Sequence, residues 1–204
     1  MLNTEDMNFF LSVFKGLDLQ TVMGLSRLAH AKKLKAGEIH LPMGSASKKL
    51  TYIKTGLIRT YCLKENGDKV TLMLRWEKQF VASVDSAIFE PPSRFIYQAI
   101  EDTTLMELDY HKAQYLMERS SELSAFSYSV LLRMLGYAMD SLEAFILLSP
   151  EERYLKLIHE KPDINNGVPD KYLATLLGIA PGSLSRIRKR IVSQHRRQLT
   201  MVNF

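Results

Sequence analysis

Apolar positions recur at helical spacing near the start of the chain, where Phe9, Phe10, Val13 and Phe14 mark one face. Asp18 follows as an N-cap residue. Residues 4–30 therefore read as two short helices, the second running through Arg27. From residue 31 the rhythm shortens. Runs at 38–41, 50–54, 57–63, 69–75, 95–100 and 104–108 are rich in Val, Ile, Thr, Tyr or Phe, with turn residues between them. Asn66-Gly67 predicts a tight hairpin of type I′, which needs positive φ at both positions. Short strands at regular spacing predict a small antiparallel barrel or jelly roll. Cys62 and Trp76 fall on these strands and read as core residues.

Helical spacing returns over 110–148. A short helix near 111–118 precedes a long one in which Tyr128, Leu131, Leu135, Ala138, Leu142 and Phe145 are separated by 3, 4, 3, 4 and 3. That spacing is a heptad seam, suited to pairing with a second helix. Val130, Leu132, Met134 and Met139 are also apolar, so one side suits the barrel and the other a twin subunit. Ser149, Pro150 and Glu152 then form a capping-box pattern that starts a helix running to about Glu160. Residues 161–167 read as a short linker.

Helix, turn and helix follow from Val168. The first helix covers 169–177, Gly178 frees the backbone for the turn, and Ile179 plugs it. Pro181 opens the second helix, which ends near Gln194. Leu184, Ile187 and Ile191 form its buried stripe; Ser183, Arg186, Lys189, Arg190 and Ser193 take the opposite side. The predicted class is α+β. A jelly-roll barrel with N-terminal helices spans 1–118, a dimerisation helix 119–148 and an all-α helix-turn-helix domain 149–204.

Charge sharpens this picture. The chain of 204 residues carries 27 Lys and Arg against 22 Asp and Glu, a net +5. Seven of the cations lie between 171 and 204, where there is no Asp or Glu, which leaves residues 1–170 at −2. A neutral-to-acidic body with a basic terminal module is an electrostatic footprint for a polyanion, most often nucleic acid. Ser183, Ser185, Arg186, Lys189 and Arg190 are the candidate DNA contacts, arginine suiting guanine edges while lysine and hydroxyls grip phosphate. One cysteine and five scattered histidines offer no disulfide and no metal-ligand spacing. The longest apolar run, 144–148, is far too short to cross a bilayer, and the acidic start is no secretory signal, so the cytoplasm is expected. No nucleophile–base pair, phosphate-binding loop or metal triad points to an enzyme.

The order of barrel, seam helix and helix-turn-helix resembles the Crp/Fnr family of bacterial transcription regulators. The markers are Lys35-Ala36-Gly37-Glu38, Tyr52 through Arg59, Pro150-Glu151-Glu152-Arg153, Leu173-Ala174 with Leu177-Gly178-Ile179, and Ser183 through Lys189. The Ser-Arg-Ile-Arg-Lys run at 185–189 is similar to a branch common in Bacteroidetes. The resemblance implies a homodimer whose barrel senses a signal and whose terminal domains bind a two-fold symmetric operator, with RNA polymerase as a further partner and no membrane. It assigns base reading to Arg186 and backbone gripping to Ser183 and Lys189. Two further base-reading positions fall on Pro181 and Gly182, which lack side-chain donors. Only 195–204 remains where the family continues into a β-wing.

The family's cyclic-nucleotide loop also departs from its pattern. Ala82-Ser83 replaces Gly-Glu, Arg94 is out of register, and Pro91 and Pro92 remove two N–H donors. Ala138 and Met139 stand where base-contacting hydroxyls are expected. Ser83, Arg94, Ala138 and Met139 thus outline an effector pocket poorly suited to cAMP. No cofactor is indicated, and some other small anion is the remaining effector class. A second reading is a nucleotide or anion sensor whose output is a protein contact.

Overall fold

The computed structural model describes residues 4–83 and 92–202, with side chains over 8–83 and 92–194. Val84, Asp85, Glu90 and Pro91 of the sensor loop lie outside the described residues. The chain divides into two compact units, Met1–Cys62 with Met73–Asp140, and Leu63–Leu72 with Ser141–Phe204. Among the described residues no helix is long and apolar enough to cross a membrane.

The first unit opens with α1 (Thr4–Val13) and α2 (Leu19–Leu28). Asp18 caps α2, its carboxylate accepting the Thr21 N–H at 3.0 Å. Phe10, Phe14, Val22 and Leu25 pack with Met106, Leu108, Ala113 and Leu123. Each such large side chain contributes about 1.5–3 kcal/mol by leaving water. The helical zone ends earlier than expected, because β1 (Ala29–Leu34) starts directly after α2.

Seven more strands follow: β2 (Ile39–Leu41), β3 (Lys49–Thr55), β4 (Leu57–Leu63), β5 (Lys69–Trp76), β6 (Phe80–Ala82), β7 (Ile96–Ala99) and β8 (Thr103–Asp109). They form two four-stranded sheets, ordered β1-β8-β3-β6 and β2-β7-β4-β5. The β1–β8, β3–β8, β3–β6, β2–β7 and β4–β7 pairs are antiparallel. Leu34, Ile53, Val81 and Leu105 from the first sheet meet Ile58, Tyr97 and Ala99 from the second in one apolar cluster. Cys62 and Trp76 are only half-buried, so neither is the core residue expected.

The turn at Asn66-Gly67 also departs from expectation. Gly67 has φ 83°, but Asn66 does not take positive φ, so this is not a type I′ turn. The Gly67 N–H donates to the Lys64 carbonyl and the Lys64 N–H to the Asp68 carbonyl, both at 2.9 Å. Asn66 instead accepts the Asp68 N–H at 3.1 Å through its side chain. A longer turn closed by one left-handed glycine takes its place.

At one end of the sheets Glu107 lies buried on β8 among cations. Its carboxylate accepts from Lys49 Nζ at 2.6 Å and lies 2.7 Å from His30 Nε2, 3.7 Å from Lys32 Nζ and 3.5 Å from His40 Nδ1. Burial alone would raise its pKa, but the Lys49 hydrogen bond and the charges of Lys49, His40 and Lys32 hold it below the usual value. His40, whose Nε2 lies 3.4 Å from the Thr51 hydroxyl, is pushed down to about 4 by burial and by Lys32 and Lys49, against the pull of Glu107. A histidine depressed from 6.5 takes up its proton more readily in the unfolded chain, so acid favours unfolding. Stability attributable to His40 is complete above pH 6.5 and falls as the pH drops toward 4, by about 3 kcal/mol in all. The depressed Glu107 acts in the same direction, its share being lost as the pH falls through 4.5 and below. Urea midpoints at pH 7 and pH 4 measure the fall, and His40→Asn is expected to flatten it.

After α3 (Tyr110–Met117) comes the long α4 (Ser121–Leu147). Leu123 and Val130 are its buried residues. Tyr128, Leu131, Leu135, Leu142 and Phe145 are 40–64% exposed, and Ala138 is exposed with them. The seam positions therefore lie open along α4.

The second unit contains α5 (Pro150–Glu160), α6 (Ile164–Gly167), α7 (Asp170–Leu176) and α8 (Pro181–Val202). The Ser149 capping box is complete: its backbone N–H donates to Glu152 Oε2 at 2.8 Å and its hydroxyl accepts the Glu152 N–H at 3.4 Å. Residues 161–167 are not a free linker, because α6 buries Ile164 to 1% exposure within this unit. α8 runs past Gln194 to Val202, since no proline or glycine after Gly182 breaks it.

Candidate nucleic-acid interface

α7 and α8 are joined by 177–180, and hydrogen bonding fixes the turn. The Ile179 N–H donates to the Ala174 carbonyl at 2.9 Å and the Gly178 N–H to the Thr175 carbonyl at 3.1 Å. These are the two bonds of a Schellman motif, with Gly178 in the required left-handed conformation at φ 71°. Leu173, Ala174, Leu177, Leu184 and Ile187 are buried, while Ile179 and Ile191 are half-buried. The apolar stripe read from spacing is thus the one that α8 turns inward.

That leaves the cations outside. Ser185, Arg186, Lys189 and Arg190 are exposed and Ser183 is half-buried. Arg186 Nη2 donates to Ser183 Oγ at 3.0 Å, which aims the guanidinium along the first turn of α8. Arg190 is engaged by Glu151 of α5, so part of its charge is already balanced. Arg186 and Lys189 have no such carboxylate among the described ion pairs.

Two other arginines hold the unit together. Arg188 donates to Asp170 Oδ1 at 2.7 Å, Asn165 Oδ1 at 3.0 Å and the Tyr154 hydroxyl at 3.1 Å. Its partial burial opposes charge, but the bonds to Asp170 and Tyr154 outweigh it and raise the pKa. Its place one turn after Leu184, at the edge of the inward stripe, is the sequence signal for this role. Arg153, on α5, carries no spacing signal for its role. Its Nη1 donates to the Leu148 carbonyl at 2.6 Å and its Nη2 to the Leu177 carbonyl at 2.9 Å, with the guanidinium 4.6 Å from the Phe145 ring centre. It thereby ties the end of α4 to the turn before α8. Thr175 of α7 also meets the 63–72 segment, its Oγ accepting the Thr71 N–H at 3.2 Å.

The candidate effector residues are less coherent. Ser83 is buried, Arg94 is exposed with its guanidinium 5.2 Å from the Phe95 ring centre, and Ala138 and Met139 are exposed on α4. None of the four lines a described cavity. Among the described residues no group of three or more His, Cys, Asp or Glu is placed to hold a metal ion.

No protein-family model and no curated protein matches this sequence. Solved structures do share its architecture. FixK2 from Bradyrhizobium japonicum is 15% identical with a TM-score of 0.70, covering 82% of this chain and 86% of that one. A transcriptional regulator of the Crp/Fnr family from Eubacterium rectale is 17% identical, with a TM-score of 0.69 over 91% and 88%. The c-di-GMP responsive global regulator CLP of Xanthomonas campestris is 16% identical, with a TM-score of 0.67 over 87% and 93%. The chain has the fold of these proteins.

Proposed function

We propose that the chain is a homodimeric DNA-binding transcription regulator of the Crp/Fnr type acting in the cytoplasm. A jelly-roll sensor over 1–118, a dimerisation helix over 119–148 and a helix-turn-helix domain over 149–204 are its parts. The observation that carries this reading is the outward face of α8, where Arg186 and Lys189 stand exposed beyond a buried apolar stripe. A rigid turn presents that helix as a unit, which suits entry into the major groove. The open seam of α4 supplies the self-complementary surface that a symmetric pair needs. The Bacteroidetes-like branch rests on residues 185–189 alone. RNA polymerase as a partner rests on the family resemblance. The effector, if anionic, is not cAMP, given Ala82-Ser83 and Pro92 in the sensor loop.

Retention of upstream DNA fragments from its own genome tests the reading. Binding at low salt is expected, weakening steeply as salt rises because each neutralised phosphate releases counterions. Arg186→Ala is expected to cost roughly 1–3 kcal/mol on the specific fragment and far less on random duplex. Lys189→Ala is expected to weaken both alike and reduce the salt slope by about one. Absence of any duplex binding at low salt would overturn the assignment.

A further inference from the structure

The first unit holds a half-open cleft of about 240 Å³ that DNA binding does not use. α1, β3, the segment from β5 to β6 and α4 supply its walls. Among the described residues that line it, Arg75, Lys78 and Arg133 are cations and none is a carboxylate. Tyr52, Phe80, Phe126 and Tyr137 provide aromatic surface beside these cations. Tyr52 and Phe80 meet edge to face at 4.9 Å, and the Arg75 guanidinium lies 4.9 Å from the Tyr137 ring centre. The charges of Lys78 and Arg133 favour an anion, guanidinium groups pair with planar oxyanions, and ring faces favour another ring. The volume equals about eight waters at ~30 Å³ each, which suits one small ring with one charged substituent.

Lys78 adds an independent observation. It has φ 68°, the one non-glycine residue in the left-handed region among the described residues. Its N–H donates to the Ile53 carbonyl at 2.9 Å, and the Gln79 carbonyl accepts from Ile53 at 3.0 Å, so the turn is fixed against β3. Glycine would meet this backbone demand without strain, so the turn itself does not call for lysine. What lysine adds is an ammonium group at the rim of the cleft. On α4 the wall is made by Val130, Arg133, Met134 and Tyr137, positions distinct from the heptad seam.

We propose that this cleft binds a small aromatic oxyanion, a single ring bearing a carboxylate or phosphate, with Lys78 and Arg133 holding the charge. The site is separate from the loop at Ser83 and Arg94, and it does not depend on the DNA-binding reading. Calorimetric titration of the full chain with phenyl phosphate tests it, with inorganic phosphate and benzyl alcohol as probes lacking the ring or the charge. One phenyl phosphate per chain is expected, bound at least roughly tenfold more tightly than either control. Lys78→Gly and Arg133→Gln are each expected to weaken it by roughly tenfold. Lys78→Gly relieves a strained backbone and Arg133 is exposed, so thermal melting of both variants is expected to match or exceed the parent. Failure of phenyl phosphate to bind, equal binding of either control, or unchanged affinity in both variants would overturn the proposal.

Discussion

On the proposed pairing along α4, Leu135→Glu is expected to give a monomer and to lower duplex affinity by roughly 10²–10⁴-fold. Leu135 sits mid-way along the exposed seam of α4 and is 58% exposed. A carboxylate there adds no clash within the subunit. In a symmetric pair, two carboxylates would face each other across a desolvated seam, which costs far more than one exposed charge. Losing the pair removes the second half-site contact, so binding no longer gains from the high effective concentration of a tethered partner. The salt slope is expected to fall to about half, since half the phosphates are neutralised. Sedimentation gives the mass and a shift assay the affinity. Leu135→Met, which keeps the apolar volume, is expected to retain both. A parent chain that sediments as a monomer yet binds duplex tightly would remove dimerisation from the account. A Leu135→Glu variant that remains dimeric would place the subunit contact elsewhere.

What the sequence disclosed was what local chemistry controls. The Asp18 cap, the Ser149–Glu152 box and the Gly178 turn each close within a few residues, so their residue types announce them. The stripe at Leu184 and Ile187 and the seam along α4 are periodic, and periodicity survives without knowing the partner. The features that escaped depend on distant chain. β1 carries His30 and Lys32 toward Glu107, which lies 77 residues from His30, and its polar residues give no strand run of their own. β6 has only three residues, Phe80–Ala82, too few for a pattern. Arg153 gains its role from carbonyls at Leu148 and Leu177, and the cationic cleft from four separate elements. No spacing rule gathers such residues. The candidate DNA face was legible because a single helix carries it. The effector residues follow from resemblance alone, and residues 84–91 between Ser83 and Arg94 lie outside the described residues.

Gly56→Ala is expected to destabilise the chain by about 3–5 kcal/mol, a large part of the 5–15 kcal/mol typical of a domain. Two costs combine. Gly56 joins β3 to β4 at φ 97°, where an L side chain loses about 1–2 kcal/mol. An added Cβ would also lie 2.7 Å from Thr103 Cα and 2.9 Å from the Asp102 carbonyl oxygen. Both are backbone atoms, and they have little room to yield. The Thr103 hydroxyl accepts the Leu57 N–H at 3.2 Å and donates to the Glu101 carbonyl at 2.8 Å. β8 is itself held between β1 and β3 in the first sheet. Gly67, at φ 83° with nothing within 4 Å of an added Cβ, separates the two costs. Gly67→Ala is expected to lose only the conformational share, about 1–2 kcal/mol. Urea denaturation of both variants decides the matter. Equal losses would mean that backbone conformation alone sets the penalty and that the Asp102–Thr103 backbone yields, whereas the larger loss at Gly56 identifies close packing of that turn against β8 as the second cost.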